Sequence, residues 1–237
     1  MKAHWIQHER THPVNRDKDP LGLNNACIPD APAWLNEYHD EIQTKILSRL
    51  IGEIYFQNKL LTVLDIGCGS GRWVMRLKNL KLQVTGIDIQ KSIIEQNKKL
   101  ISEVRWFSGD FRECKYDGEL FDLITSVTVL QHIPTIEIPH AILTLRENLK
   151  KGGHLIALEN ISFRSETCHG YEISLWEYYF RLAGFKVRKT VPYDSGLFLR
   201  MTDHRWLRWM GKYVRHLDLR FDVPRYARHC GFLLEAI

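Results

Sequence analysis

The chain has 237 residues, of which 44% are hydrophobic and 26% are charged, and it carries a net charge of +5. This balance is typical of a folded globular protein and excludes a disordered or collagen-like chain. No apolar run reaches the roughly 18 residues that a membrane-spanning helix needs, and the first residues lack the apolar core of a signal peptide. We therefore expect a cytoplasmic protein without a transmembrane segment.

The first part of the chain combines a polar segment with a long helix. Residues 1–32 contain four prolines and predict irregular structure. A helix then begins near Pro32, and its apolar residues recur every four positions on one face. These residues are Trp34, Tyr38, Ile42, Ile46 and Leu50. We treat residues 1–57 as an N-terminal cap segment that precedes a main domain over residues 58–237.

Within the main domain, short apolar runs alternate with helical stretches. The predicted strands are 62–66, 82–87, 104–107, 121–127, 154–159, 185–191 and 232–237, and the predicted helices are 71–79, 90–100, 137–149 and 171–183. Residues 150–153, Lys-Lys-Gly-Gly, predict a helix end and a turn before the fifth strand. The alternation predicts an α/β fold with a doubly wound, mostly parallel seven-stranded sheet, in which the last strand pairs with 185–191.

A basic insert, residues 192–228, separates the last two predicted strands. Eight basic and three acidic residues lie between Gly196 and Cys230. The net charge of this stretch is therefore +5, which equals the net charge of the whole chain. The rest of the chain is electrically balanced, which does not favour a general nucleic-acid-binding surface. Two interpretations remain open. The insert is either a lid over an anionic or glycosylated acceptor, or an amphipathic helix that packs its tryptophans inward and leaves Arg205 and Arg208 in solvent.

A glycine-rich loop follows the first predicted strand. The sequence reads Asp65-Ile66-Gly67-Cys68-Gly69-Ser70-Gly71. The glycines allow a sharp turn from strand to helix and a close approach of a ligand to the backbone. A dinucleotide-binding loop needs a further glycine where this chain has Arg72, and a phosphate-binding loop needs a Gly-Lys-Ser/Thr sequence that is absent. Scattered cysteines without a Cys-x-x-Cys pair give no metal-binding pattern either.

The acidic residue and three alternate glycines resemble motif I of the class I S-adenosylmethionine (SAM) methyltransferases. Further elements resemble the same family in the same order: the strand that ends at Asp88, residues 104–111, residues 121–133 and residues 149–158. The resemblance covers about residues 35–191 and implies SAM as the cofactor. It also implies that Asp88 binds the ribose, that Asp110 meets the adenine amino group and that Phe111 lies along the adenine ring. The implied cofactor-binding residues are Asp65, Gly67, Cys68, Gly69, Gly71, Asp88, Ile89, Asp110, Phe111, Ser126 and Val127.

Methyl transfer from SAM requires an aligned nucleophile and, for a hydroxyl or ammonium acceptor, removal of a proton. His132 and Glu159 follow the fourth and fifth predicted strands, where such a group would lie, and they are our catalytic candidates. The alternatives are that His132 caps a loop and that Glu159 is a solvated strand-end acid.

Further residues are candidates for binding the acceptor, and one more is a candidate for contact with the cofactor. Tyr38, His169 and Tyr171 are predicted to bind the acceptor. Arg72 faces either the cofactor carboxylate or solvent. No residue is predicted to bind a metal.

Three functions are compatible with these features. The first is a methyltransferase that acts on an oxygen or nitrogen of a small molecule, such as a natural product, sugar or related metabolite. The second is a methyltransferase of a peptide or protein amine, with Glu159 and Asn160 holding the amine. The third is a non-catalytic SAM-binding or membrane-surface partner protein. The Asn-Pro-Pro-Tyr type of sequence that would indicate nucleic-acid methylation is absent, and we expect a monomer or homodimer.

Overall fold

Seven strands form one sheet in the described part of the chain. The computed structural model describes residues 19, 22–23, 32–54, 61–162, 165, 168–195, 213 and 226–237. The strands are β1 (Thr62–Ile66), β2 (Gln83–Asp88), β3 (Arg105–Ser108), β4 (Phe121–Val127), β5 (Leu149–Asn160), β6 (Phe185–Tyr193) and β7 (His229–Ala236). Their order is β3-β2-β1-β4-β5-β7-β6, with β1 to β5 parallel and β7 antiparallel to both of its neighbours. The predicted doubly wound, mostly parallel sheet is confirmed.

Five helices cover the two faces of the sheet within the described residues. They are α1 (Ala33–Gly52), α2 (Arg72–Asn79), α3 (Lys91–Leu100), α4 (Ile138–Glu147) and α5 (Ile173–Leu182). Side chains of α4 and α5, such as Trp176, form one buried cluster with Phe232 of β7. Side chains of α1 and α2, such as Tyr38 and Trp73, form the other cluster with Leu233 of β7. Successive residues of β7 thus face opposite layers, as expected for a strand with both faces buried.

The fifth strand differs from its prediction at its start. The preceding helix ends at Glu147, and β5 begins at Leu149. Phe121 pairs with Leu149, but the next described pair is Leu123 with His154, so residues 150–153 form a bulge inside the strand. Gly152 has a φ of +74°, which favours glycine. The Lys-Lys-Gly-Gly segment is therefore a bulge and not a turn before the strand.

The last two strands are longer than predicted towards the insert. β6 continues to Tyr193 and β7 already begins at His229, because these two residues pair with each other. The predicted pairing of the terminal strand with 185–191 is confirmed. Most of the basic insert, including Arg205 and Arg208, lies outside the described residues, as does most of the proline-containing segment 1–32. No helix in the described ranges is both long and apolar enough to cross a membrane.

Helix α1 packs so closely on the sheet that it restricts a residue of β7 to glycine. A Cβ atom added to Gly231 would lie 2.7 Å from Ile46 Cγ2 and 3.0 Å from Leu50 Cδ1. Both of these atoms belong to the predicted apolar face of the helix. The spacing that predicted α1 therefore also predicted the face that it buries.

Replacing Gly231 with alanine is expected to lower the free energy of unfolding by about 1–3 kcal/mol, because the added methyl group overpacks this interface. Urea denaturation measures the change. Gly52→Ala is the matched control, since a Cβ atom there would have no neighbour within 4 Å, and it should leave stability unchanged or raise it by about 0.5–1 kcal/mol. Equal stability of Gly231→Ala and wild type would contradict this packing.

Candidate cofactor and acceptor site

The carboxyl ends of the parallel strands meet at one edge of the sheet. The loops after β1, β2, β4 and β5 all leave from this edge. The end of β6 and the start of β7 lie there as well, since His229 pairs with both Asn160 and Tyr193. In open α/β sheets this edge is where ligands bind. The strand topology therefore brings most of the predicted site residues to one side of the molecule.

The three glycines of the loop after β1 have different surroundings. A Cβ atom on Gly67 would lie well inside van der Waals contact of Val129 Cγ2, and one on Gly71 would lie 2.9 Å from the Trp106 ring. Gly69 also has a positive φ, of +48°, but a Cβ atom there would have no neighbour within 4 Å. Gly67 and Gly71 are thus required by packing within the protein. Gly69 borders open space, which fits the close approach of a ligand to the backbone.

Side chains from β2 and α3 fix the backbone at Gly69. The Gly69 amide donates a hydrogen bond to Asp88 Oδ2 at 2.8 Å, and the Gly69 carbonyl accepts one from Asn97 Nδ2 at 2.8 Å. The other oxygen of Asp88 accepts a hydrogen bond from the Gln90 amide at 2.8 Å, and Ile89 between them is half-buried. Asp88 therefore supports the glycine loop. Asn97 was not predicted, because its contact spans a loop and a helix.

Asp65 places a buried carboxylate at the end of β1. Its Oδ1 accepts a hydrogen bond from Thr125 Oγ1 at 2.6 Å. Its Oδ2 is buried and has no hydrogen-bond partner among the described residues. Burial raises the pKa of Asp65 to about 7. A buried carboxylate oxygen without a donor, next to a loop that borders open space, fits a cationic ligand such as SAM.

Cys68 does not line this space with its side chain. It is buried in the cluster that contains Trp73, and its amide and carbonyl bond to Ile87 and Gly71. Burial raises the pKa of the Cys68 thiol well above its usual value. The expectation that Cys68 binds the cofactor is corrected: its size suits the packing behind the loop.

The two residues predicted at the adenine end are held in different ways. The Asp110 carboxylate accepts hydrogen bonds from Arg112 Nε at 2.9 Å and from Arg112 Nη2 at 2.6 Å. Arg112 also pairs with Glu137, which precedes α4. The Phe111 side chain is buried in the core beside Tyr116, so the expectation that it lies along the adenine ring is corrected. Arg112 was not predicted, although its spacing from Asp110 would allow the pair.

Glu159 is fully buried and accepts three hydrogen bonds. The donors are Ser126 Oγ at 2.8 Å, the Leu130 amide at 3.1 Å and the Gln131 amide at 3.0 Å. Burial raises the pKa of Glu159 to about 7 despite these donors. Glu159 is therefore not the solvated strand-end acid that the sequence allowed, and it has no exposed surface to offer an acceptor. Ser126, predicted to bind the cofactor, is instead directed at this carboxylate, and it is likewise fully buried.

His132 and His169 are more accessible than Glu159. His132 ends a short 3-10 helix after β4 and is half-buried, as is His169 in the loop after β5. The His169 amide donates a hydrogen bond to the Gln131 carbonyl at 2.7 Å, so the two loops adjoin. Val127, at the end of β4, belongs to the cluster on the α1 side of the sheet. The loop that carries His132 and the loop that carries His169 are therefore neighbours at this edge.

Tyr171 and Tyr38, which were predicted to bind the acceptor, are both buried. The Tyr171 hydroxyl lies 2.6 Å from Thr135 Oγ1, and its ring packs against Trp176 in the core. Tyr38 is fully buried, and its hydroxyl donates a hydrogen bond to Asp194 Oδ1 at 3.0 Å. Both expectations of acceptor binding are therefore corrected. Each hydroxyl has a protein partner, and both side chains are almost completely buried.

Asp194 is a buried anion that the sequence did not indicate. It also bonds to Arg228 Nη2 at 2.8 Å, and its other oxygen lies 2.9 Å from His229 Nδ1. Burial alone would raise its pKa, but His229, His39 and Arg228 hold the pKa of Asp194 well below its usual value. Asp194 and Arg228 stand at the two ends of the basic insert. Only the fold brings them together, since they are 34 positions apart.

Arg72 takes neither of its predicted roles. Its guanidinium is buried and bonds to Asp40 Oδ1 at 2.7 Å and to Gln43 Oε1 at 2.7 Å, both in α1. Among the residues that the structure describes, no group of three or more histidine, cysteine or acidic side chains could hold a metal ion.

Comparisons with known proteins agree with this geometry. Residues 63–153 match a family model described as "Methyltransferase domain". The chain is 35% identical over 109 residues to the ubiquinone biosynthesis O-methyltransferase of Glaesserella parasuis serovar 5 (strain SH0165), which covers 42% of this chain and 45% of that protein. It is 30% identical over 122 residues to the malonyl-[acyl-carrier protein] O-methyltransferase of Priestia megaterium (strain DSM 319 / IMG 1521). This match covers 49% of this chain and 43% of that protein. The chain thus spans less than half the length of these two relatives.

A solved structure shares the whole fold. Magnesium protoporphyrin IX methyltransferase (ChlM) from Synechocystis PCC 6803 with bound SAM superposes with a TM-score of 0.66 at 14% identity, covering 100% of this chain and 97% of that one. The sheet order, the glycine loop and the matched domain define a methyltransferase-type α/β fold. Residues 63–153 thus carry a methyltransferase domain within this fold, and the resemblance to the class I SAM-dependent methyltransferases that the sequence indicated is confirmed.

Replacing Gly69 with alanine tests whether the open space beside this residue is the cofactor site. The methyl group meets no protein atom, so the fold should lose only about 1–2 kcal/mol from the positive φ, whereas affinity for S-adenosylhomocysteine (SAH) should fall at least about tenfold. Isothermal titration calorimetry measures the affinity. Gly152→Ala is the matched control, because Gly152 has a φ of +74° and open space at the opposite edge of the sheet. Equal affinity of both variants would place the ligand elsewhere.

Proposed function

We propose that this protein is a methyltransferase that moves the methyl group of SAM to an oxygen or nitrogen of a small molecule. The observation that carries the proposal is the backbone at Gly69, which is fixed by Asp88 and Asn97 and yet borders open space. In this proposal the glycine loop holds the methionyl part of SAM, Asp88 the ribose and Asp110 the adenine amino group. The Asp65 carboxylate balances the positive charge of the ligand.

Bound SAM supplies an electrophilic methyl group on a cationic sulfur, so the protein needs to do little covalent chemistry. The fixed glycine loop reduces the freedom of the reacting groups before the reaction, which contributes to rate through proximity. His132 lies on the half-buried loop after β4, where it accepts the proton that a hydroxyl or ammonium acceptor must lose. His169 adjoins the same loop and contacts the acceptor.

Several observations bear on the class of acceptor. Both curated relatives cited above are named as O-methyltransferases, which makes a hydroxyl or carboxylate oxygen the first acceptor to test. A protein amine held by Glu159 and Asn160 is less well supported, because both side chains are buried. The Asn160 Nδ2 atom lies 3.2 Å from Cys168 Sγ, and its Oδ1 accepts the Ser162 amide. The preference for an anionic or glycosylated acceptor rests on the charge of the basic insert alone.

Cofactor binding is tested first, without knowledge of the acceptor. Asp88→Ala should weaken SAM binding at least about tenfold, because charge-assisted hydrogen bonds are worth about 1.5–3 kcal/mol and the support of Gly69 is lost as well. Calorimetry with SAM measures this change. Asp122→Ala is the control, since Asp122 accepts the Thr62 amide at 2.9 Å at the opposite edge of the sheet. If Asp88→Ala binds SAM as tightly as wild type, the site assignment is wrong.

Turnover is then measured with labelled SAM and a panel of phenols, carboxylic acids and amines. With any acceptor that is methylated, His132→Gln should lower kcat by about 10²–10⁴ while SAM affinity stays within about twofold. His169→Gln should act mainly on the KM for the acceptor. A loss below tenfold in His132→Gln would mean that catalysis is by proximity alone. SAM binding without transfer to any member of the panel would favour the non-catalytic alternative.

A further inference from the structure

The loop after β4 is fastened to the end of β5 by a series of hydrogen bonds. The Thr128 amide donates to the Leu158 carbonyl at 2.8 Å, in a backbone conformation with a positive φ of +57°. The amides of Leu130 and Gln131 then donate to the two oxygens of Glu159. The Gln131 side chain closes the series, because its Oε1 accepts the Asn160 amide at 2.9 Å. Glu159 is the ionisable side chain in this series.

The other side of the same loop touches the glycine loop. Val129 stands between the residues that are fastened to β5, and its side chain occupies the space that a Cβ atom of Gly67 would need. Val129 therefore lies directly against the backbone of Gly67. A shift of the loop after β4 would therefore move Val129 away from Gly67 and loosen the packing of the glycine loop. This chain of contacts runs from Glu159 through the Leu130 and Gln131 amides and Val129 to Gly67.

We infer that Glu159 is a positioning residue of the cofactor site: it holds the loop after β4 so that Val129 supports Gly67 and keeps the glycine loop in its binding conformation. This inference rests on the proposed function and goes beyond it, because it assigns no proton transfer to Glu159. A buried carboxylate suits the role, since it accepts several N–H and O–H donors at once. Other titratable groups near it are Cys168 and Tyr193, each affected by its charge.

The chain offers a matched control for this test. Asp122, at the amino end of β4, accepts a backbone amide at 2.9 Å and the hydroxyl of the same residue, Thr62, at 2.8 Å. Like Glu159 it accepts a backbone amide and a hydroxyl, although it also pairs with Lys150 Nζ at 2.9 Å, and it lies at the edge of the sheet away from the glycine loop. Glu159→Gln places an amino group against a donor, because Glu159 accepts hydrogen bonds with both of its oxygens. Asp122→Asn can still accept from Thr62 with its remaining oxygen, but it removes the negative charge that pairs with Lys150. Both should therefore cost stability, but only the first should affect the cofactor.

The experiment measures SAH affinity by calorimetry for wild type and both variants. We expect Glu159→Gln to weaken SAH binding about 5- to 30-fold, the factor that corresponds to one or two lost hydrogen bonds. Asp122→Asn should stay within about twofold of wild type. Amide hydrogen exchange provides the local readout, because the Leu130 and Gln131 amides should lose protection in Glu159→Gln while the amides of β1 keep it. Wild-type SAH affinity in a folded Glu159→Gln variant would overturn the inference.

Val129→Ala keeps the test decisive if Glu159→Gln does not fold. This variant retains the carboxylate and its hydrogen bonds but removes the side chain that contacts Gly67, and it should also weaken SAH binding. In the double variant the two effects should be less than additive, because they act through one chain of contacts. Unchanged SAH affinity in Val129→Ala overturns the inference. Failure of the wild-type protein to bind SAH would instead overturn the proposed function, on which the inference depends.

Discussion

The glycine loop requires a backbone conformation that is available to few residues, and much of the surrounding structure serves to maintain it. Gly67, Gly69 and Gly71 all have positive φ values, of +58°, +48° and +78°. Glycines lose more conformational entropy on folding than other residues, so the loop needs contacts that hold it in this conformation. Val129 and the Trp106 ring pack against its two ends, and Asp88 and Asn97 hold its middle. Gly69 is the one residue of the three whose Cβ position the protein itself leaves uncovered.

Helix α1 connects this loop to the opposite side of the site. Asp40 binds Arg72 and Arg76 of α2, and although burial alone would raise its pKa, the hydrogen bond from Arg76 and the charges of both arginines keep the pKa of Asp40 below its usual value. Both guanidinium groups also lie over the Trp73 ring, at 4.6 Å and 4.7 Å. The preceding two residues of α1, Tyr38 and His39, face Asp194 instead. One turn of helix thereby joins the helix that follows the glycine loop to Asp194, at the start of the insert.

The sequence predicted what depends on local spacing and missed what depends on distant contacts. Strand alternation and the glycine spacing predicted the sheet and the loop, because both are properties of short segments. Asp194 could not be found in this way, since its partners Tyr38 and Arg228 come from other parts of the chain. Glu159 is an intermediate case. Leu155 and Ala157 alternate with it on β5 and face the buried α4 and α5 side. Strand parity was therefore a signal for a buried carboxylate, but our sequence analysis considered only a catalytic or a solvated Glu159.

Two carboxyl groups with raised pKa values lie on this edge, and each lowers the free energy of unfolding when it is ionised. Asp65 and Glu159 both have a pKa near 7 because of burial. Since the unfolded chain ionises them near pH 4, each lowers stability as the pH rises from about 4 to 7. The cost at Glu159 is offset by amides that need an acceptor. At Asp65 one oxygen has no donor among the described residues, so under the proposed function a bound cation favours its ionised form and links cofactor binding to release of a proton near neutral pH.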